Sequence, residues 1–126
     1  MKKTGILNPE LNAGLSRLGH GHLVVIADCG LPLPAAGPVV DLALVQGVPR
    51  FAEVLDAVLA ELEVEASTAA AETGPEVLGW LQERGLKPGL IGHEELKALL
   101  PQAALIIRTG EATPYANVVL RCGVPF

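Results

Sequence analysis

Leu23-Val24-Val25-Ile26-Ala27 is the stretch that most constrains how this chain folds. Five apolar residues in a row, β-branched at the centre, predict a strand buried on both faces. Asp28 follows at once, and Gly30, Pro32 and Pro34 then force the chain out of the sheet into an irregular loop. In open α/β sheets, the edge outside the carboxyl ends of the strands is where ligands bind. Two imidazoles stand at the other end of the run, in Gly19-His20-Gly21-His22. A titratable acid beyond one end and histidines before the other make this the richest functional clue in the chain.

The remaining elements arrange themselves around that strand. Asn8-Pro9-Glu10 predicts a helix start: a capping side chain, Pro at the first helical position, then an acid in the first turn. Leu11, Leu15 and Leu18 share a face, and Gly19 is placed to end the helix. Val39 to Val45 predicts a second strand, broken only by Asp41, before a turn at Gln46-Gly47-Val48-Pro49. Phe51, Val54, Leu55, Val58, Leu59 and Leu62 make the clearest amphipathic helix. Val64 to Ala70 predicts a third strand, with helix as the competitor because the segment is Ala-rich.

Gly74-Pro75 opens a short helix that Gly85 closes, Leu90-Ile91 is a fourth strand, and His93 to Leu100 a helix ended by Pro101. Ala103–Arg108 and Val118–Cys122 are strands flanking a polar loop, residues 109–117. Strands alternating with short helices predict an α/β fold: a single three-layer domain over residues 1–126, its mostly parallel sheet flanked by short helices. There is no repeat, low-complexity tract or linker.

Composition excludes several functions. Net charge is −5 with no basic cluster, whereas nucleic-acid phosphates need a Lys/Arg footprint. No apolar run approaches the ~20 residues of a membrane span, and Asn8, Pro9, Glu10 and Asn12 interrupt any signal-peptide core. Cys29 and Cys122 make neither a disulfide framework nor a metal spacing, as expected of free thiols in a reducing compartment. The chain therefore reads as a cytoplasmic protein with no nucleic-acid or membrane partner. Half its residues are hydrophobic and only 18% charged, which predicts that part of its surface is hidden in subunit contacts; an Ala- and Val-rich monomer is the alternative.

Few residues can carry chemistry. His20, in a Gly-flanked loop, suits proton transfer near neutral pH, or is simply a surface histidine. His20 and His22 could begin a metal site. Asp28 or Cys29, however, lies across a strand of roughly 17–20 Å at ~3.3 Å per residue, so no metal is expected. Asp28 could grip hydroxyls or act as a base, or only initiate a turn. His93 precedes Glu94-Glu95 at a helix start, where it could merely cap, and Lys97 sits one turn later as a ligand contact or a solvated charge. Tyr115 and Asn117, beside Pro114, could clamp a polyhydroxylated ligand; the alternative is a turn in which Asn tolerates an unusual backbone angle. Phosphate-loop, dinucleotide-binding and nucleophile-elbow motifs are missing. The polar groups left suit a neutral polyol and proton transfer without a cofactor.

These stretches together resemble a known family. Leu18-Gly19-His20, Val24-Val25-Ile26-Ala27-Asp28 and Gly30-Leu31-Pro32 are similar to the sugar mutarotases, the family of D-ribose pyranases and L-fucose mutarotases. So are Gly47-Val48-Pro49-Arg50-Phe51, His93-Glu94-Glu95-Leu96-Lys97, Ile107-Arg108-Thr109-Gly110-Glu111, Thr113-Pro114-Tyr115-Ala116-Asn117 and Gly123-Val124-Pro125-Phe126. The blocks keep the family's order over nearly the whole chain, and Gly30-Leu31-Pro32-Leu33-Pro34 resembles the ribose branch more than the fucose branch. The resemblance implies interconversion of pyranose and furanose D-ribose by a ring-shaped homo-oligomer, a homodecamer, with sites near subunit contacts. It implies His20 as proton donor, Asp28, His93 and Tyr115-Ala116-Asn117 as sugar-binding residues, and Lys97 as a further ligand contact. His22 departs from the family pattern, which has an acid there, and so does the short segment from Thr73 to Gly89. The rival readings are a non-catalytic sugar-binding module tied to ribose uptake and a metal enzyme built on His20 and His22.

Overall fold

The computed structural model describes residues 1–126 throughout, and its central strand, β1 (Leu23–Ala27), has the bounds of the apolar run. Val24, Val25, Ile26 and Ala27 are fully buried. Side chains alternate across a strand, so Val24 and Ile26 enter one core while Val25 and Ala27 enter another. Burial on both faces requires a layer of helices on each side, and the chain supplies them.

α1 (Pro9–Ser16), α2 (Phe51–Leu59) and α3 (Pro75–Glu83) cover the larger core, where Leu11, Leu15, Phe51, Leu55, Val58 and Leu81 are buried. The Asn8 side chain caps α1 by accepting a hydrogen bond from the Leu11 N–H at 2.8 Å. α4 (His93–Leu99) covers the smaller core through Leu96. The remaining strands are β2 (Val39–Asp41), β3 (Val64–Ala70), β4 (Gly89–Ile91), β5 (Leu105–Arg108) and β6 (Val118–Cys122). They form one six-stranded sheet in the order β2-β5-β1-β6-β3-β4. Five strands run one way; β6 alone runs against both its neighbours, β1 and β3. The domain is the expected three-layer α/β fold with a mostly parallel sheet. None of its helices is long and apolar enough to cross a membrane.

Element boundaries differ from the sequence reading where tertiary partners run out. β2 stops at Asp41 rather than Val45, because its partner β5 ends at Arg108, the residue opposite Asp41. The Asp41 carboxylate then turns the chain by accepting from the Ala43 N–H (3.0 Å) and pairing with Arg108 (2.9 Å). β5 begins at Leu105 instead of Ala103, and α2 ends at Leu59 instead of Leu62. Pro101 does not stop the chain at Leu100; it sits inside a 3₁₀ turn, Leu100–Gln102, that follows α4.

A turn closed by the bridge between Val45 and Val48 packs onto the loop after β5. Gly110 donates to the Pro49 carbonyl at 2.9 Å and accepts from the Gly47 N–H. A Cβ at Gly110 would lie 2.6 Å from the Val45 carbonyl oxygen and collide with that of Val48. Gly110→Ala is therefore expected to cost about 1–3 kcal/mol or more, because the obstacles are backbone atoms that cannot rotate away. Urea denaturation measures it, and a variant as stable as the parent would contradict this packing.

Candidate active site

Because β6 runs against β1, the end of one strand lies beside the start of the other, with Ile26 opposite Val118. Asp28 and Asn117 are the residues that face each other just beyond that junction. The Asp28 N–H donates to Asn117 Oδ1 and Asn117 Nδ2 donates to Asp28 Oδ2, both at 2.9 Å. Asp28 Oδ1 accepts from the Gly30 N–H at 3.0 Å, which starts the irregular exit loop. Asn117 is buried and Asp28 half-buried, so the carboxylate is fixed in direction yet reachable from solvent. A carboxylate held this way is a directional acceptor for hydroxyl groups.

Tyr115 and His93 complete the wall. Tyr115 has φ +60°, the only non-glycine residue in the left-handed region. Backbone in that region is held by its surroundings and recurs at ligand sites. His93 opens α4, its N–H donating to Glu72 Oε2 at 2.8 Å, so the helix end is capped by Glu72 and not by the imidazole. The His93 ring meets Tyr115 edge-on, centroids 5.0 Å apart, and its Nδ1 is buried without a hydrogen-bond partner. Asp28, Gly30, Leu31, Pro32, His93, Pro114 and Tyr115 line a cavity of about 270 Å³. Ala116 and Asn117, next to Tyr115 in sequence, are buried and do not line it, and the Ala116 side chain packs in the larger core. Lys97 pairs with Glu94 at 2.8 Å on the rim of a neighbouring cleft that shares Pro32. The structure thus gathers Asp28, His93, Tyr115, Ala116 and Asn117, with Lys97 adjacent.

His20 is not among them. It lies before β1, at the opposite edge of the sheet, and β1 alone spans roughly 17 Å at ~3.3 Å per residue. There its Nε2 meets Glu65 Oε2 at 2.9 Å. His22 plays a different part: its Nδ1 accepts from the Gly19 N–H at 3.0 Å, closing the turn that presents His20. No group of three His, Cys, Asp or Glu side chains is placed to hold a metal ion.

Residues 1–125 match the model of the RbsD / FucU transport protein family. A protein of Cutibacterium acnes named D-ribose pyranase is 52% identical over the full length of both chains. One of the same name from Streptomyces avermitilis is 56% identical, again over both full lengths. Among solved structures, Bacillus subtilis RbsD complexed with D-ribose superposes with a TM-score of 0.92 at 41% identity, covering all of both chains. The fucose mutarotase of Streptococcus pneumoniae, in complex with L-fucose, has a TM-score of 0.83 at 23% identity over both full chains, a likeness of fold.

Glu111, for which no role is read in the sequence, anchors the loop that carries Tyr115. Glu111 is 2% exposed, yet it is a carboxylate. Oε1 accepts from Arg50 Nε (2.9 Å) and the Phe51 N–H (3.1 Å) at the start of α2, while Oε2 accepts from the hydroxyl (3.0 Å) and N–H (3.3 Å) of Thr113. Its backbone carbonyl accepts from the Cys29 N–H at 2.9 Å. Glu111 thereby ties the β1 exit, the loop that carries Tyr115 and the helix α2 to one another. Its only trace in the sequence is the alternation Thr109, Glu111, Thr113.

Burial pushes the Glu111 carboxyl up, but the hydrogen bonds from Arg50, Phe51 and Thr113 prevail and hold it below its ordinary value. A carboxyl whose folded pKa is depressed stabilises the fold above its unfolded value and loses that contribution as pH falls through the folded value. Melting temperature is therefore expected to drop from about pH 4.5 downward, and Glu111→Gln to be less stable at neutral pH with a flatter acid limb. Thermal melts between pH 3 and 7 check this. Parallel acid limbs for the two proteins would contradict the assignment.

Proposed function

The chain belongs to the RbsD / FucU transport protein family, and on that premise we propose that it interconverts the pyranose and furanose forms of D-ribose. The observation that carries the reading is Asp28, fixed by two hydrogen bonds to the buried Asn117 and lining a cavity walled by His93 and Tyr115. Such a site offers fixed acceptors and donors to several hydroxyls at once and carries no cationic clamp for a phosphate. Relatives named D-ribose pyranase and a neighbour solved with D-ribose support the choice of sugar.

The chemistry is a pair of proton transfers. Protonation of the ring oxygen of ribopyranose, with loss of the proton from the anomeric hydroxyl to solvent water, breaks the bond between C1 and that oxygen and leaves an aldehyde. The C4 hydroxyl then adds to C1 and the proton movements reverse, giving the furanose. General acid–base help in such a step contributes typically ~10²–10⁴-fold, a load one placed histidine can carry. His20 is the acid in this reading, while Asp28, His93, Tyr115, Asn117 and the Ala116 backbone hold the sugar. Neither a metal nor a nicotinamide takes part.

Geometry sets a condition on that assignment. Within one chain His20 and the cavity lie at opposite edges of the sheet, so the acid must come from a second copy. A closed ring of identical contacts, with each chain giving His20 to one neighbour and a cavity to the other, meets the condition. A homodecamer is the assembly we infer, working as a cytoplasmic ribose enzyme.

Saturation-transfer NMR on equilibrated D-ribose tests the activity. The protein should speed exchange between pyranose and furanose anomeric signals, and His20→Ala should lose about 10²-fold or more of that acceleration. Ribose binding with no acceleration by the parent protein would leave only a sugar-binding module. The shared site has its own test: His20→Ala and Asn117→Ala chains, each inactive alone, should regain about a quarter of full activity when refolded together in equal amounts. Mixtures as inactive as the single variants would contradict a site built from two chains.

A further inference from the structure

We propose that Glu65, itself held by Arg121, is the positioning residue for His20; the proposal rests on the reading of His20 as the proton donor. The starting point is an irregularity in the sheet. Across β3 and β6, Val64 lies opposite Cys122, yet Ala66 lies opposite Arg121, so β3 advances two residues while β6 advances one. Glu65 is the extra residue, a β-bulge at the edge of the sheet where His20 lies. Unbroken alternation would send Glu65 to the face opposite the Ala66–Arg121 pair. The bulge breaks the alternation, and such insertions re-aim a side chain. Glu65 and Ala66 are in consequence both exposed, and Glu65 Oε1 meets Arg121 Nε at 2.9 Å while Oε2 meets His20 Nε2 at 2.9 Å.

The surroundings are shaped for this arrangement. Gly123 leaves the space the bulge occupies, since a Cβ there would come within 3.2 Å of the Glu65 Cβ. The turn carrying His20 is clamped to β6 from both sides: the Gly21 N–H donates to the Cys122 carbonyl (2.8 Å), and the Cys122 N–H to that of His22 (2.9 Å). Gly21 has φ +82°, which a side chain there would resist. Backbone and carboxylate together fix the imidazole plane. With Nε2–H donated to Glu65, Nδ1 is the nitrogen left to face a ligand, and it is the Nδ1–H of the protonated ring that passes to the sugar's ring oxygen, since the hydrogen bond made by one ring nitrogen decides the role of the other. Arg121 keeps the Glu65 carboxylate from rotating away.

The rate of ribose ring exchange measured against sugar concentration separates this role from a structural one. Glu65→Ala should lower the saturated rate about tenfold, part of the ~10²–10⁴-fold a general acid supplies, with KM and assembly mass unchanged. Glu65→Gln keeps an oxygen that accepts from Nε2–H and should recover most of the rate. In wild type, ¹⁵N spectra of the neutral His20 ring should show the Nε2–H tautomer alone, the one that takes up and returns a proton at Nδ1, and in Glu65→Ala a mixture of tautomers. If Glu65→Ala exchanges ribose at the wild-type rate while His20→Ala does not, the positioning role is overturned and the function stands. If Glu65→Ala instead changes KM or breaks the assembly, Glu65 is structural and the proposal is likewise overturned. If His20→Ala itself keeps the wild-type rate, the reading of His20 as the acid fails.

Discussion

The reversal of one strand decides where the residues of the candidate site sit. β6 runs against β1 and β3, so its first residue meets the end of β1 and its last meets the beginning. At one edge this brings Asn117 against Asp28 with two hydrogen bonds of 2.9 Å. At the other it brings Arg121 and Cys122 beside the turn that carries His20. A fully parallel sheet would put the loop carrying Tyr115 and Asn117 at the far edge from Asp28, and the cavity would not form. The apolar pairing of β1 with β6, buried on both faces, is what holds the two edges in register.

That arrangement puts His20 at one edge of a rigid sheet and Asp28, His93, Tyr115 and Asn117 at the other. Neither edge can bend toward the other, since the strand between them is buried and hydrogen-bonded on both sides. In the proposed reading, association of copies is the physical route by which the His20 imidazole reaches a bound sugar. A low charge content and exposed apolar side chains such as Leu44, Val45 and Leu90 are consistent with a surface meant to be covered.

The sequence disclosed what is local and hid what is distant. β1 and β6 carry the bounds of their apolar runs because length and composition define a buried strand, whereas Ala-rich β3, for which helix competed, is decided by its pairing with β6. α1 was legible through Asn8 and Pro9, which act within one helical turn. The sequence overextends β2, because a strand ends where its neighbour ends and no local signal marks that point. Asp28, Tyr115 and Asn117 were legible as polar residues at loop boundaries, but their convergence depends on β6 reversing. Glu111 leaves only the alternation of Thr109, Glu111 and Thr113 as a trace, and Glu65 leaves none. The first meets Arg50 across 61 positions, the second meets His20 across 45, and its bulge is a register shift that residue types alone do not announce.

The central claim is that a sugar bridges the two edges, gripped by Asp28 and Asn117 of one chain and approached by His20 of another. A crystal structure of the assembled protein with D-ribose bound tests it most directly. The account predicts ribose hydroxyls within hydrogen-bonding distance of Asp28 and Asn117, with a neighbouring copy's His20 Nδ1 within about 3 Å of the ring or anomeric oxygen. Ribose bound elsewhere, or a His20 imidazole facing solvent in every copy of an occupied assembly, would contradict it.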